Sequence, residues 1–193
     1  MNTFSLKNNF FIVYLIKFIG IFCLFYFGTI AIIGLVSPGG RYYLSFLDNY
    51  FNYISWLRSS LLFATKLFFS FIGVTVYNKN IYTITVLNGS GVHIVYSCLG
   101  YGVMSFWAAF VLANDGKILK KVKWLISGLF VIWLINVFRL FLFLLSLNNQ
   151  WSIPFGINHH TLFTVFAYAG IFIMIYFFDK SSNKNLKEHH DFT

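Results

Sequence analysis

Trp124-Leu125-Ile126-Ser127-Gly128-Leu129-Phe130-Val131-Ile132-Trp133-Leu134-Ile135-Asn136-Val137-Phe138-Arg139-Leu140-Phe141-Leu142-Phe143-Leu144-Leu145-Ser146-Leu147 decides the class of this chain. At about 1.5 Å of rise per residue it outruns the ~30 Å hydrocarbon core of a bilayer. Its polar residues are Ser127, Asn136, Arg139 and Ser146. An arginine that deep in an apolar helix is expensive in lipid and marks a functional candidate. Immediately upstream runs Lys117-Ile118-Leu119-Lys120-Lys121-Val122-Lys123, with four lysines, which belongs on the cytoplasmic side.

The rest of the chain agrees with a lipid solvent. Of 193 residues, 59% are hydrophobic, 22% aromatic and 10% charged, with a mean hydropathy of +0.74. A water-facing surface ordinarily needs about 25% charged residues. The net charge of +9 therefore reads as orientation and contact with anionic lipid heads rather than as nucleic-acid binding. The acids are Asp48, Asp115, Asp179, Glu188 and Asp191. All but Asp48 fall on the cytoplasmic side of the expected topology. Paired-carboxylate catalysis and carboxylate metal cages are thereby disfavoured. Cys23 and Cys98 lack metal-ligand spacing, so neither cofactor nor metal is expected.

Working outward, three more spans are expected. Asn9 to about Val36 ends in the turn Ser37-Pro38-Gly39-Gly40. It lacks a small-x-small cleavage site and is read as a retained span. Cys98 to Ala113 precedes the lysine run, and Thr161 to Phe178 follows the linker Asn148–Asn158. Residues 42–77, broken by Asp48, Asn49, Asn52, Arg58 and Lys66, read as amphipathic interfacial or partly re-entrant helices, or else as a pair of short crossings. Residues 81–96 carry two β-branched runs around Asn88-Gly89-Ser90-Gly91, a hairpin signal. The expectation is a single all-α integral membrane domain, a polytopic bundle of about four spans with a small external hairpin. It comprises an N-terminal span (1–40), an external or interfacial segment (41–97), a three-span catalytic core (98–178) and a cytoplasmic basic tail (179–193).

This topology gathers three reactive groups. Cys98 opens its span at the outer end. Arg139 lies about 22 Å beyond Trp124 by helical rise, in the outer third of the core. His159 and His160 head the last span. Asn136 and Arg139 are three apart and share a helix face. Thiolates attack carbonyls, and cations or imidazoles help form them. A guanidinium can hold an oxyanion, and an imidazole can carry the proton. The set suits acyl transfer through a thioester. Cys23, in mid-span, reads as a small buried hydrophobe; His93 reads as a strand residue, and His189 and His190 as solvated tail.

Val95-Tyr96-Ser97-Cys98-Leu99-Gly100, Asn136-Val137-Phe138-Arg139 and His159-His160-Thr161-Leu162-Phe163 together resemble the exosortase/archaeosortase family of membrane transpeptidases, in particular its short forms. The likeness covers about residues 85–178. It implies Cys98 as nucleophile, Arg139 as thiolate and oxyanion stabiliser, His159 or His160 as acid/base, and Asn136 in support. It also implies a place in a bacterial cytoplasmic membrane. The implied partners are exported proteins ending in a short motif, an apolar helix and a basic cluster, together with a surface acceptor and membrane lipids. A second class, a non-enzymatic scaffold or accessory subunit of a polysaccharide or export system, would use the same polar residues for helix packing.

Overall fold

The computed structural model describes residues 3–40, 42–149 and 159–190. Helix α1 (Thr3–Val36) is followed by α2 (Ser45–Phe51) and α3 (Tyr53–Phe71), then strands β1 (Val76–Asn80), β2 (Thr83–Val86) and β3 (Gly91–His93). A 3-10 turn (Tyr96–Leu99) leads into α4 (Tyr101–Ala113), α5 (Ile118–Asn148) and α6 (His159–His190). The described structure is mostly helical (75%), with one small sheet among the described residues. Among the described residues two helical segments, Phe11–Val36 and Ile118–Asn148, are long and apolar enough to cross a membrane. Large apolar side chains cover their outward faces: Leu24 and Phe27 on α1, Ile126 and Phe130 on α5. The expected linker Asn148–Asn158 falls mostly outside the described residues.

Two expectations need correction. The apolar run from Cys98 to Ala113 is not one long helix: α4 has 13 residues, about 20 Å against a ~30 Å core. Residues 96–99 are spent on the 3-10 turn, and Gly100 breaks the path with φ +75°. In place of the expected hairpin stands a three-stranded antiparallel sheet in the order β1-β2-β3. The added strand, Val-Tyr-Asn-Lys-Asn, is exposed beyond Val76, so it carries no alternating pattern. Val76 pairs with Val86 and Ile84 with Val92. These side chains turn inward, and Val76, Ile84 and Val92 are buried. His93 ends β3 and shares a 3.1 Å hydrogen bond with Thr83, a strand residue as expected.

Side-chain contacts define how the helices run. α1 and α4 are antiparallel: Phe18 meets Phe106 edge-on, Tyr26 stacks on Tyr101, and Ser37 bonds Tyr96 at 3.3 Å. At the opposite end Lys17 lies 3.8 Å from Asp115. α4 and α5 are antiparallel as well, with Trp107 Nε1 donating to the Trp124 carbonyl at 3.2 Å. α6 returns along α5, with Gly170 beside Ile135, Phe178 against Trp124, and Lys120 Nζ donating to the Ser181 carbonyl. α3 runs parallel to the second half of α5, through Ser60–Trp133, Phe68–Phe138 and Phe69–Phe141.

After the Ser37–Gly40 turn the chain folds back. Leu44 N–H donates to the Leu35 carbonyl, and Tyr53 OH donates to Thr29 at 2.8 Å, two turns before the end of α1. α3 then buries Ile54, Leu61, Leu62, Thr65 and Phe69 on one face and exposes Phe63 and Phe71 on the other. Close packing and internal hydrogen bonds hold these contacts. Thr65 accordingly donates to the Leu61 carbonyl, one turn back. Asn148, at the end of α5, accepts from Ser90 N–H at 2.7 Å and pins the β2–β3 turn to the bundle.

Candidate functional site at the head of α4

The local backbone around Cys98 is set by Gly100. Cys98 N–H donates to the Val95 carbonyl, closing the 3-10 turn, and Met104 N–H donates to the Gly100 carbonyl, opening α4. A left-handed residue between two such helices favours glycine. Contact demands it too, because a Cβ at residue 100 would overlap the side-chain amide of Asn136. Asn136 is 5% exposed and donates Nδ2 to the Ile132 carbonyl at 3.1 Å. The segment carrying Cys98 is thereby seated on the helix carrying Arg139.

Between α1, α4, α5 and α6 lies a cavity of about 740 Å³, lined by Gly100, Tyr101, Asn136, Arg139, Tyr26 and Tyr168 among others. Asn136 and Arg139, expected to share a face, do so on this wall. The remaining surface is chiefly aromatic and aliphatic, with Phe22, Phe106, Ile132 and Ile135 contributing. Arg139 brings a positive charge to this wall, of a kind suited to a carbonyl or oxyanion in a largely apolar chamber.

The expected catalytic residues are brought together unevenly. Cys98 is half-buried and packs against the core that joins α3, the sheet and α5, beside the fully buried Leu99. It lies two residues from the cavity wall and does not line it. His159 and His160 begin α6, but their side chains fall outside the described residues. The pairing of Gly170 with Ile135 gives their backbone register. By helical rise His160 lies about 15 Å beyond that level toward the Cys98 end and Arg139 about 6 Å, a difference of ~9 Å along the bundle. Cys23 is half-buried in α1. Among the described residues there is no group of three His, Cys, Asp or Glu able to hold a metal.

Sequence reasoning missed Arg58. It was read as an interruption of an apolar stretch, yet it is 5% exposed, with its guanidinium carbon 4.4 Å from the Tyr82 ring centroid and 4.9 Å from that of Tyr96. The signal was present: Ile54, Arg58, Leu61, Leu62 and Thr65 recur at the spacing of one helix face. An arginine on the buried stripe needed explaining more than one on the exposed face.

No family model, curated protein or solved structure matches this chain.

Proposed function

We propose that this chain is a membrane-embedded cysteine transpeptidase or protease, which cleaves a C-terminal sorting signal from exported proteins and passes them to a surface acceptor. One observation carries the reading. Gly100 and Tyr101, two and three residues after Cys98, share a single cavity with Asn136 and Arg139, so two of the three segments that resemble exosortases meet there in part. In this reading the protein is a four-span protein of a bacterial cytoplasmic membrane. The Lys17–Asp115 end faces the cytoplasm, and the Cys98 end lies at the outer face.

The chemistry follows from the residue types. The Cys98 thiolate adds to the scissile carbonyl carbon, and Arg139 stabilises the oxyanion. Collapse breaks the C–N bond while His159 or His160 gives a proton to the departing amine, leaving a thioester. An acceptor amine, hydroxyl or water then attacks the thioester and loses its proton to the same imidazole. The acyl–sulfur bond breaks and the thiolate returns. A substrate held by its own apolar helix arrives at a fixed depth, which supplies much of the positioning.

The test is co-expression with an exported reporter ending in a short motif, an apolar helix and a basic cluster. Cys98→Ala abolishes processing and Cys23→Ala leaves it intact; undiminished processing by Cys98→Ala ends this reading. A second reading is favoured by the packing of Cys98 against the core rather than in the cavity wall: a non-enzymatic scaffold or accessory subunit of a polysaccharide or export system. A membrane-impermeant maleimide separates the two. Substrate-protected labelling of Cys98 from outside belongs to the enzyme, and an inert thiol belongs to the scaffold.

A further inference from the structure

Strand β3 closes one side of the sheet and, among the described residues, pairs with β2 alone. Its extended run outlasts the strand itself. Ile94 N–H donates to the Tyr82 carbonyl at 2.7 Å, and Val95 holds φ −81° and ψ 161°. In an antiparallel ladder every second residue bonds across to the partner, and the residues between point their N–H and C=O groups away. Ser90 and Ile94 bond across to Val86 and Tyr82, with Val92 opposite Ile84. Gly91, His93 and Val95 therefore turn their N–H groups to the outer edge. These three N–H groups have no hydrogen-bond partner among the described residues, and all three residues are exposed.

The two edges of the sheet differ. On the far side β1 carries Lys79 and a register shift between Asn78 and Asn80. Charges and bulges of this kind keep an edge from accepting another strand. The β3 edge has neither: no Asp, Glu, Lys or Arg occurs between Asn80 and Asn114, and β2 and β3 pair without a shift. The strand is also held in place. Its inward side chains, Val92 and Ile94, are buried, and Asn148 grips Ser90 at its start. A rigid edge loses little freedom when another strand joins it. This one leads straight into the candidate site, because the Val95 carbonyl accepts from Cys98 N–H at 2.9 Å.

We propose that the outer edge from Gly91 to Val95 is a strand-addition site, which takes an extended, uncharged peptide segment through main-chain hydrogen bonds. That the segment belongs to an exported protein, next to its scissile bond, rests on the sorting-enzyme reading; the open edge rests on the sheet alone. Recognition of this kind reads backbone conformation first. Outward groups recur every second residue, about 6.8 Å apart, so the guest bonds through alternate residues only. Three outward residues suit a short segment and offer too little surface to hold two whole chains together edge to edge.

The test is binding of a fluorescein-labelled peptide, Thr-Val-Ser-Val-Thr, to the detergent-solubilised Cys98→Ala protein, read by fluorescence anisotropy with empty micelles as the blank. Saturable binding is expected. In the same background His93→Pro removes an outward N–H, leaves the bonds to β2 alone, and is expected to weaken binding by about tenfold or more. His93→Ala keeps that N–H, loses the side-chain bond to Thr83, and should stay within about twofold. Single N-methyl groups are also placed along the probe. At alternate residues they should weaken binding about tenfold, and at the residues between they should leave it unchanged. This scan decides the matter even where His93→Pro fails to fold. Absence of saturable binding, equal losses from His93→Pro and His93→Ala, or N-methyl losses without alternation overturn the proposal. A dimer that His93→Pro turns into a monomer overturns it too, by assigning the edge to a second copy. None of these readouts needs chemistry at Cys98. Alternating probe binding in a protein that leaves the reporter unprocessed retires the enzyme and keeps the edge; processing without alternation in the scan retires the edge alone.

Discussion

The side-chain amide of Asn136 lies flush against Gly100, so close that any Cβ at residue 100 would overlap it. This contact seats the turn that follows Cys98 on the helix that bears Arg139, and it makes the glycine a steric requirement as well as a conformational one.

Gly100→Ala is therefore expected to destabilise the fold by about 2–3 kcal/mol, combining the left-handed backbone with overpacking. Gly102→Ala is the control. A Cβ there meets the Tyr26 ring at 3.4 Å, an ordinary contact, and stability should change by no more than about 0.5 kcal/mol. Thermal unfolding in detergent compares the two.

Under the proposed function, Arg139→Lys should lose processing of the reporter by about a hundredfold or more. A single ammonium keeps the charge and forfeits the planar fork that holds a developing oxyanion. Wild-type rates in this variant would reduce Arg139 to a packing or anchoring residue.

Gly128 lets α4 and α5 approach at their other end, because a Cβ there would collide with the Trp107 indole. Gly128→Ala gains helix propensity of about 1 kcal/mol but should still destabilise on balance, by roughly 1–2 kcal/mol. The penalty should shrink when Trp107 is replaced by Phe, giving a non-additive double-mutant cycle in the melting temperature.

Lys17, midway along α1, and Asp115, just past the end of α4, pair with both side chains more than half exposed. The double-mutant coupling energy should be small, at most about 1 kcal/mol, and should fade with added salt. In a background lacking Cys23 and Cys98, cysteines at positions 17 and 115 should cross-link through a short bifunctional maleimide. The same two positions should be shielded from impermeant reagent in intact cells, while a cysteine replacing Asn88 should react. Labelling of position 115 from outside would overturn the proposed topology.

Much of the helical plan was legible from local pattern. The long apolar runs of α1 and α5, the break at Ser37-Pro38-Gly39-Gly40 and the turn at Asn88–Gly91 each follow from composition within a few residues. The shared face of Asn136 and Arg139 follows from helical spacing. The strand β1 was not legible, because its side chains beyond Val76 point outward and carry no alternation. Nor was the shortness of α4, since Tyr96–Leu99 is as apolar as a helix and departs from one only through its 3-10 turn and Gly100.

By itself the sequence determined a helical chain suited to lipid, with its cysteine, arginine and histidines heading or interrupting apolar segments. Hydropathy and backbone periodicity are local quantities and survive without knowledge of neighbours. Tertiary structure alone decided what those polar groups meet: Asn136 against Gly100, Arg139 on a cavity wall, Cys98 packed beside Leu99, and Arg58 between Tyr82 and Tyr96. Such contacts join residues tens of positions apart, and they depend on which helix faces pack together, which no local pattern encodes.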